Sequence, residues 1–367
     1  MSGMKKPDSQ TFRVADEQVN QTISAALRLW LPGTSWSDIR RLLAARHVTV
    51  SGNLCLDEGR RLKAEEVVKL LEHPAPAPPK EDDVRIRYID AHLVVVEKPA
   101  GMTTLRHPEE RNWPKRRKQL QPTLDELLPR IIQKKERGPG PGKSPRGVKR
   151  PPAPQRPAKQ AGPRRLRAVH RIDRETSGLM VFARTVDAER LLGLQFRKHE
   201  LHRVYVAVAL GHVQEQTFES RLVDDRGDGR RGSTKNSKLG KVAVTHVRPL
   251  ERLDGYTVVE CRLETGRTHQ IRIHLSEAGH PLCGDKVYRG PFPGKPAADE
   301  SGAPRVALHA AELGFEHPLT GEKLKFVMPL PSDLSALIDR LRQRGKPAKT
   351  QSKPARKPPR RQNPPTA

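Results

Sequence analysis

Long apolar runs are missing from this chain of 367 residues, and no stretch approaches the roughly 20 apolar residues that cross a bilayer. Residues 1–10 are polar and lack the apolar core of a secretion signal, so the expectation is a soluble, cytoplasmic protein without a membrane partner. Cysteine is nearly absent. Cys55, Cys261 and Cys283 stand far apart, without the paired spacing of a zinc site or redox motif, so neither a disulfide nor a structural metal is expected. Aromatic residues make up only 4% of the chain, which makes a tyrosine on an aliphatic strand worth explaining. Acidic residues are outnumbered, 42 Asp plus Glu against 69 Lys plus Arg, for a formal charge of +27. Such an excess asks for an anionic partner. Nucleic acid is the default, because neutralised phosphates release counterions. A membrane surface would fit the charge too, yet no basic amphipathic helix with a broad apolar face stands out.

What is present is unevenly spread. Residues 11–72 read as a small basic α+β unit. Ser35 and Asp38 offer capping for a helix over 39–46, with Ile39, Leu42 and Leu43 on one face and Arg40, Arg41 and Arg46 on the other. A hairpin over 48–56 turns at Ser51-Gly52-Asn53, and a strand over 62–71 closes the unit. A proline-rich linker follows over 73–83. Residues 84–343 read as a second, larger unit with strands at 85–88 and 93–96, the latter ending in Glu97-Lys98-Pro99-Ala100-Gly101. From 107 to 165 the chain is a basic low-complexity insertion, expected to be disordered apart from one short helix over 123–133. Order resumes at Leu166. Strands are expected at 179–183, 204–210, 243–250, 256–263, 306–315 and 323–327, with helices at 187–198 and 332–341. A disordered basic tail occupies 344–367. Many strands with few βαβ alternations indicate an α+β fold.

Two segments carry candidate chemistry. In Val169-His170-Arg171-Ile172-Asp173-Arg174-Glu175-Thr176-Ser177-Gly178 a carboxylate stands near two arginines ahead of an apolar strand; by itself Asp173 is equally readable as a turn residue. In Thr265-Gly266-Arg267-Thr268-His269-Gln270-Ile271-Arg272 the pattern fits a strand or a helix. The helix is favoured, with Thr268 as cap and Gly279 as stop. His170, His269 and His274 invite a metal reading, but no carboxylate and histidine set has ligand spacing.

These two segments, with Glu97-Lys98-Pro99-Ala100-Gly101, Gly284-Asp285 and Leu308-His309-Ala310, together resemble the RluA family of RNA pseudouridine synthases over about residues 84–341. The small basic unit resembles the RNA-binding domain of ribosomal protein S4. The resemblance implies a mixed, mostly antiparallel sheet with flanking helices and a site in a cleft across it. It implies isomerisation of uridine to pseudouridine in structured RNA, without metal or organic cofactor; the S4-type module and the high charge favour ribosomal over transfer RNA, and a monomer is expected. Asp173 would be the catalytic carboxylate, Arg267 its cationic partner with Arg272 as the alternative, and Tyr205 a ring stacked on the uracil. Arg171 would fill the gap left by the flipped nucleotide, since chemistry on a base requires its extrusion. His170, Thr176 and Arg272 would contact RNA, as would Arg40, Arg41 and Arg46 in the small unit. Three departures stand out: Ile172 in place of the usual Leu, the insertion 107–165, and the basic tail. The competing reading is an RNA-binding or ribosome-assembly factor that does no chemistry.

Overall fold

The computed structural model describes residues 10–75, 77–137 and 166–344. The expected disorder of the insertion over 138–165 and of the tail over 345–367 lies outside the described residues.

The chain starts with a unit that has its own core. Its elements are β1 (Gln10–Arg13), α1 (Ile23–Trp30), α2 (Trp36–Ala44), β2 (Val48–Val50), β3 (Asn53–Leu54) and β4 (Val67–Leu70), with the strands ordered β1-β4-β2-β3. The Ser35 hydroxyl caps α2 by accepting from the Asp38 amide, and Ile39, Leu42 and Leu43 turn inward against Ile23, Leu27, Val48 and Val68. The helix ends before Arg46, which corrects its expected place on the outer face. Arg46 is left-handed (φ 67°), half-buried, and donates to the Ala75 carbonyl at 2.7 Å. Arg40 and Arg41 are exposed.

The larger unit is built on one sheet of 11 strands. Its first elements are β5 (Arg85–Ile89), β6 (Leu93–Lys98), α3 (Lys115–Leu120), α4 (Leu124–Arg137), β7 (Arg167–Ala168), β8 (Ser177–Ala183), α5 (Val186–Lys198) and β9 (His202–Leu210). There follow β10 (Gln216–Val223), β11 (Gly232–Thr234), β12 (Lys241–Leu253), β13 (Tyr256–Leu263), α6 (Gln270–Glu277), β14 (Leu308–Glu316), β15 (Lys323–Val327) and α7 (Ser332–Arg344). The order is β11-β10-β12-β13-β9-β14-β8-β6-β5, with β15 on β14 and β7 on β8. Every pairing is antiparallel except β14 with β8. The sheet is therefore mixed and mostly antiparallel, and the architecture is α+β.

Alternation sends side chains to two layers. Val94, Val96, Met180, Phe182 and Ala207 pack on one face with α4 and α6, whereas Leu93, Val95, Leu179 and Val181 pack on the other with α5. Farther along that second face, Val208 and Val258 meet Leu334, Leu337 and Ile338 of α7. Because β6 and β8 are buried on both faces, they read as continuous apolar runs.

The short helix expected over 123–133 forms as α4, which buries Leu124, Leu127, Leu128 and Ile132 in the main core. The expected disorder is corrected over 107–122, which carry α3. Arg106 donates to both carboxylate oxygens of Glu126, at 2.8 and 2.6 Å. Each of the four apolar side chains contributes about 2 kcal/mol by burial, enough to order a helix whose flanking composition suggests disorder. Leu128→Ala is accordingly expected to cost about 2–5 kcal/mol in urea unfolding. An unchanged midpoint would mean that this helix does not belong to the folded core.

Candidate active site

The segment between β7 and β8 carries Asp173, and the fold fixes it from three sides. The Thr176 amide donates to the Asp173 carbonyl at 3.1 Å, closing a turn. Gly178 sits at φ 129°, where a Cβ would lie 2.3 Å from the Ala310 carbonyl; only glycine permits β8 and β14 to pair there. Lys98, wholly buried at the end of β6, donates to the carbonyls of Pro99, Met102 and Arg174 at 2.9, 2.7 and 3.1 Å. Three carbonyl acceptors use all three N–H groups of the charged ammonium. Burial pushes Lys98 down to about 7 from 10.5, while the carboxylates of Asp173 and Glu175 oppose that fall. Arg174, the flanking arginine without an expected role, ties the same segments together: its Nε donates to the Gly101 carbonyl at 3.1 Å.

Asp173 lines a pocket with Thr176, Tyr205, Leu308 and the segment 266–272. Its side chain is 15% exposed, and its Oδ2 accepts from Arg272 Nη1 at 3.3 Å. His269 Nε2 stands 3.8 Å from Oδ1. Arg272 in turn bonds Asp285 through Nε at 2.6 Å and Nη2 at 2.9 Å. Flanked by two carboxylates, its guanidinium is held even further above its ordinary range, against the effect of burial. Burial pushes the Tyr205 phenol up to about 12, with the Asp173 charge adding to the rise, so the hydroxyl keeps its proton at neutral pH.

The cationic partner is therefore Arg272, and the expected Arg267 pairing is corrected. Residue 267 precedes α6, half-exposed, and its Nε donates to the Val242 carbonyl at 3.0 Å. Residue 272 lies in the first turn of α6, on a helix whose Gln270–Ser276 stretch is buried throughout. The same geometry removes Arg272 from the expected RNA contacts, since it is 7% exposed and occupied by two carboxylates. Helix α6 forms as favoured, but His269 in the left-handed region (φ 60°), and not Thr268, is its cap. Gln270 holds the approach: its Oε1 accepts from the Arg267 amide and the Thr265 hydroxyl, and its Nε2 donates to the Val244 carbonyl. Nothing in the sequence pattern singled out Gln270 or Lys98. Asp285 was legible only as half of a Gly-Asp pair.

His170 is also reassigned. Its Nε2 accepts from the Val181 amide at 3.0 Å and its ring stacks on Phe196 at 4.8 Å, so it anchors the loop to β8 while lining the groove beside Arg171. Thr176 is buried, with a hydroxyl that has no hydrogen-bond partner among the described residues. Arg171 is exposed at the pocket rim and, among the described residues, makes no hydrogen bond or ion pair. Two open grooves flank the pocket. One is lined by Arg171, Phe196, Arg197 and His199, the other by Asp224, Arg231 and Lys241; Gly266 and Arg267 line both. No group of three or more His, Cys, Asp or Glu among the described residues is arranged to hold a metal. Among them, too, no helix is long and apolar enough to cross a membrane.

Three imidazoles lie in and behind this region, His170 half-buried and His274 and His309 buried. Burial pushes His170 down to about 3, and His274 and His309 to about 4, from an ordinary 6.5. All three accordingly stay neutral in the fold near neutral pH, while the unfolded chain binds their protons below about 6.5. Stability is then full above that value and declines as pH falls toward the folded-state values. The urea midpoint is expected to drop between about pH 7 and pH 4.5. Equal midpoints at the two ends would contradict the buried, neutral assignment.

A family model described as RNA pseudouridylate synthase matches residues 92–277. The chain is 34% identical over 339 residues to ribosomal large subunit pseudouridine synthase D of Zymomonas mobilis, covering 91% of this chain and 98% of that one. It is 32% identical over 341 residues to the protein of the same name in Escherichia coli O157:H7, covering 90% and 94%. Among solved structures it is similar in fold to Human RNA Pseudouridylate Synthase Domain Containing 4, with a TM-score of 0.50 and 24% identity, covering 70% of this chain and 92% of that one.

Proposed function

Because this chain belongs to the RNA pseudouridylate synthase family, we propose that it isomerises uridine to pseudouridine in large-subunit ribosomal RNA, with Asp173 as its catalytic carboxylate. The observation that carries this reading is a half-buried Asp173 facing Arg272 in a pocket that also contains Tyr205. The reaction moves no group between molecules. The bond from uracil N1 to the ribose breaks, the ring turns while held, and C5 bonds to the same ribose carbon. The proton lost from C5 is balanced by one gained at N1.

Each residue has a part in that sequence. Asp173 is the nucleophile, because a nucleophilic carboxylate can split one hard step into two easier ones. Arg272 orients it through the 3.3 Å contact between Nη1 and Oδ2. Tyr205 stacks on the uracil and offers a hydrogen bond; a phenol held up to about 12 is ill suited to take a proton at neutral pH. Arg171, exposed at the rim, takes the place of the flipped nucleotide by stacking its planar guanidinium in the RNA.

Arg267 gains a different role from the one expected. It stands where both grooves meet the pocket, so it holds the RNA backbone on either side of the flipped nucleotide, with Arg197 and Arg231 extending the track. The 11–72 unit, with Arg40 and Arg41 exposed, is an S4-type module that adds affinity for the same RNA. The enzyme works as a monomer in the cytoplasm, without metal or organic cofactor.

Tritium release from RNA labelled at uracil C5 tests the chemistry. Wild type is expected to release tritium, and Asp173→Asn to release none while still binding RNA. Full activity in that variant would remove the catalytic assignment, and binding without turnover by the wild type would favour a non-catalytic clamp. Arg267→Gln is expected to weaken RNA binding and to reduce the slope of log affinity against log salt by about 0.7, as for one lost phosphate contact on a single strand. An unaltered slope would remove Arg267 from the track.

A further inference from the structure

Arg272 is shared by two carboxylates, and the sharing is unequal. Asp285 takes Nε at 2.6 Å and Nη2 at 2.9 Å, whereas Asp173 meets Nη1 alone at 3.3 Å. The Asp285 side chain is 0% exposed against 15% for Asp173. Its Oδ1 also accepts from the amides of Val287 and Tyr288, at 2.9 and 3.0 Å, so the backbone fixes it in place. The preceding Gly284, at φ 76°, lies so close to the Arg305 carbonyl that a Cβ would stand 2.0 Å away. The other side of the guanidinium is also occupied, since it packs over the Tyr288 ring at 5.0 Å. The Tyr288 hydroxyl is 2.9 Å from His269 Nδ1.

Two consequences follow from this geometry. A planar fork gripped along one edge by two parallel hydrogen bonds cannot rotate about its axis, so the direction in which its Nη1 group points is fixed. That direction is toward Asp173. In addition, one positive charge facing two carboxylates leaves the trio with a net negative charge. Asp173 is ordered by the cation without being fully neutralised by it.

We propose that Asp285 is the positioning residue for Asp173, acting through Arg272: it aims Nη1 at the carboxylate and takes the larger share of the guanidinium charge. The inference rests on the reading of Asp173 as the nucleophile. A plain loop-capping role for Asp285, through the Val287 and Tyr288 amides, would instead lower stability and leave the chemical step of the folded enzyme alone.

The test uses the full chain with Asp285→Asn, Asp285→Ala and Arg272→Lys, each checked for melting temperature and for affinity to unlabelled RNA. In Asp285→Ala the single-turnover rate of tritium release at saturating enzyme is expected to fall about 100-fold, as for a reacting group displaced by about 1 Å. RNA affinity should stay within about twofold, because the substitution acts on transition-state geometry and not on binding. Asp285→Asn retains one acceptor oxygen and should fall between Ala and wild type. Arg272→Lys keeps the charge but cannot bridge both carboxylates, and should lose rate as severely as Asp285→Ala. In crystals of Asp285→Ala the contact between Arg272 Nη1 and Asp173 should be gone. A folded Asp285→Ala enzyme with wild-type rate, or with that contact intact, overturns the proposal, as does a fully active Arg272→Lys. An inert wild type combined with a displaced Arg272 in Asp285→Ala would sustain the positioning role and sink the pseudouridine synthase reading instead.

Discussion

One guanidinium, that of Arg272, is the constraint on which the site depends. It is buried on a helix that is itself buried, and a charge in that place persists only if carboxylates face it. Asp173 and Asp285 provide them from two different loops, one before β8 and one after α6. The requirement to satisfy a single buried cation thus brings together segments about a hundred residues apart in sequence. Removing either carboxylate would leave the other interaction to carry the whole burial cost, which is why such trios are sensitive to single substitutions.

The fold supplies the distances. The parallel contact of β8 with β14 is tight enough to demand glycine at 178, and that contact delivers the turn carrying Asp173 beside Tyr205, whose strand β9 pairs with β14 on its other edge. Lys98 stitches the same turn to the end of β6 through three carbonyls. Gln270 performs the matching task for the chain entering α6. Rigid strands set the base of the pocket, and polar side chains with no free donors lock the loops above it. A site placed in this way can hold a nucleophile within reach of a flipped nucleotide without reorganising during the reaction.

Much of this was legible beforehand, and the failures have physical causes. The strands expected at 243–250, 256–263 and 323–327 appear in the sheet as β12, β13 and β15. Asp173 was conspicuous because it precedes an apolar strand and stands near two arginines. Its partner was not. Arg267 and Arg272 are five residues apart, and choosing between them requires knowing that a helix begins at Gln270 and carries residue 272 inward. Since that helix is buried on nearly every side, it offers no amphipathic stripe from which to infer direction. Composition misled over 107–122, where α3 forms amid Lys, Arg, Pro and Gln, whereas the apolar stripe of the expected 123–133 helix was legible and anchors α4. Arg46 was expected on the outer face of a helix that in fact ends before it, and its side chain satisfies the Ala75 carbonyl, as His170 satisfies the Val181 amide.

The account stands on Asp173 performing chemistry on large-subunit RNA. Its most direct test is chemical mapping of pseudouridines in that RNA from cells whose only copy of the protein is wild type or Asp173→Asn, at equal abundance. The account predicts that one or more pseudouridines present with the wild type revert to uridine with Asp173→Asn. The same pseudouridines at the same occupancy in both cells would contradict it.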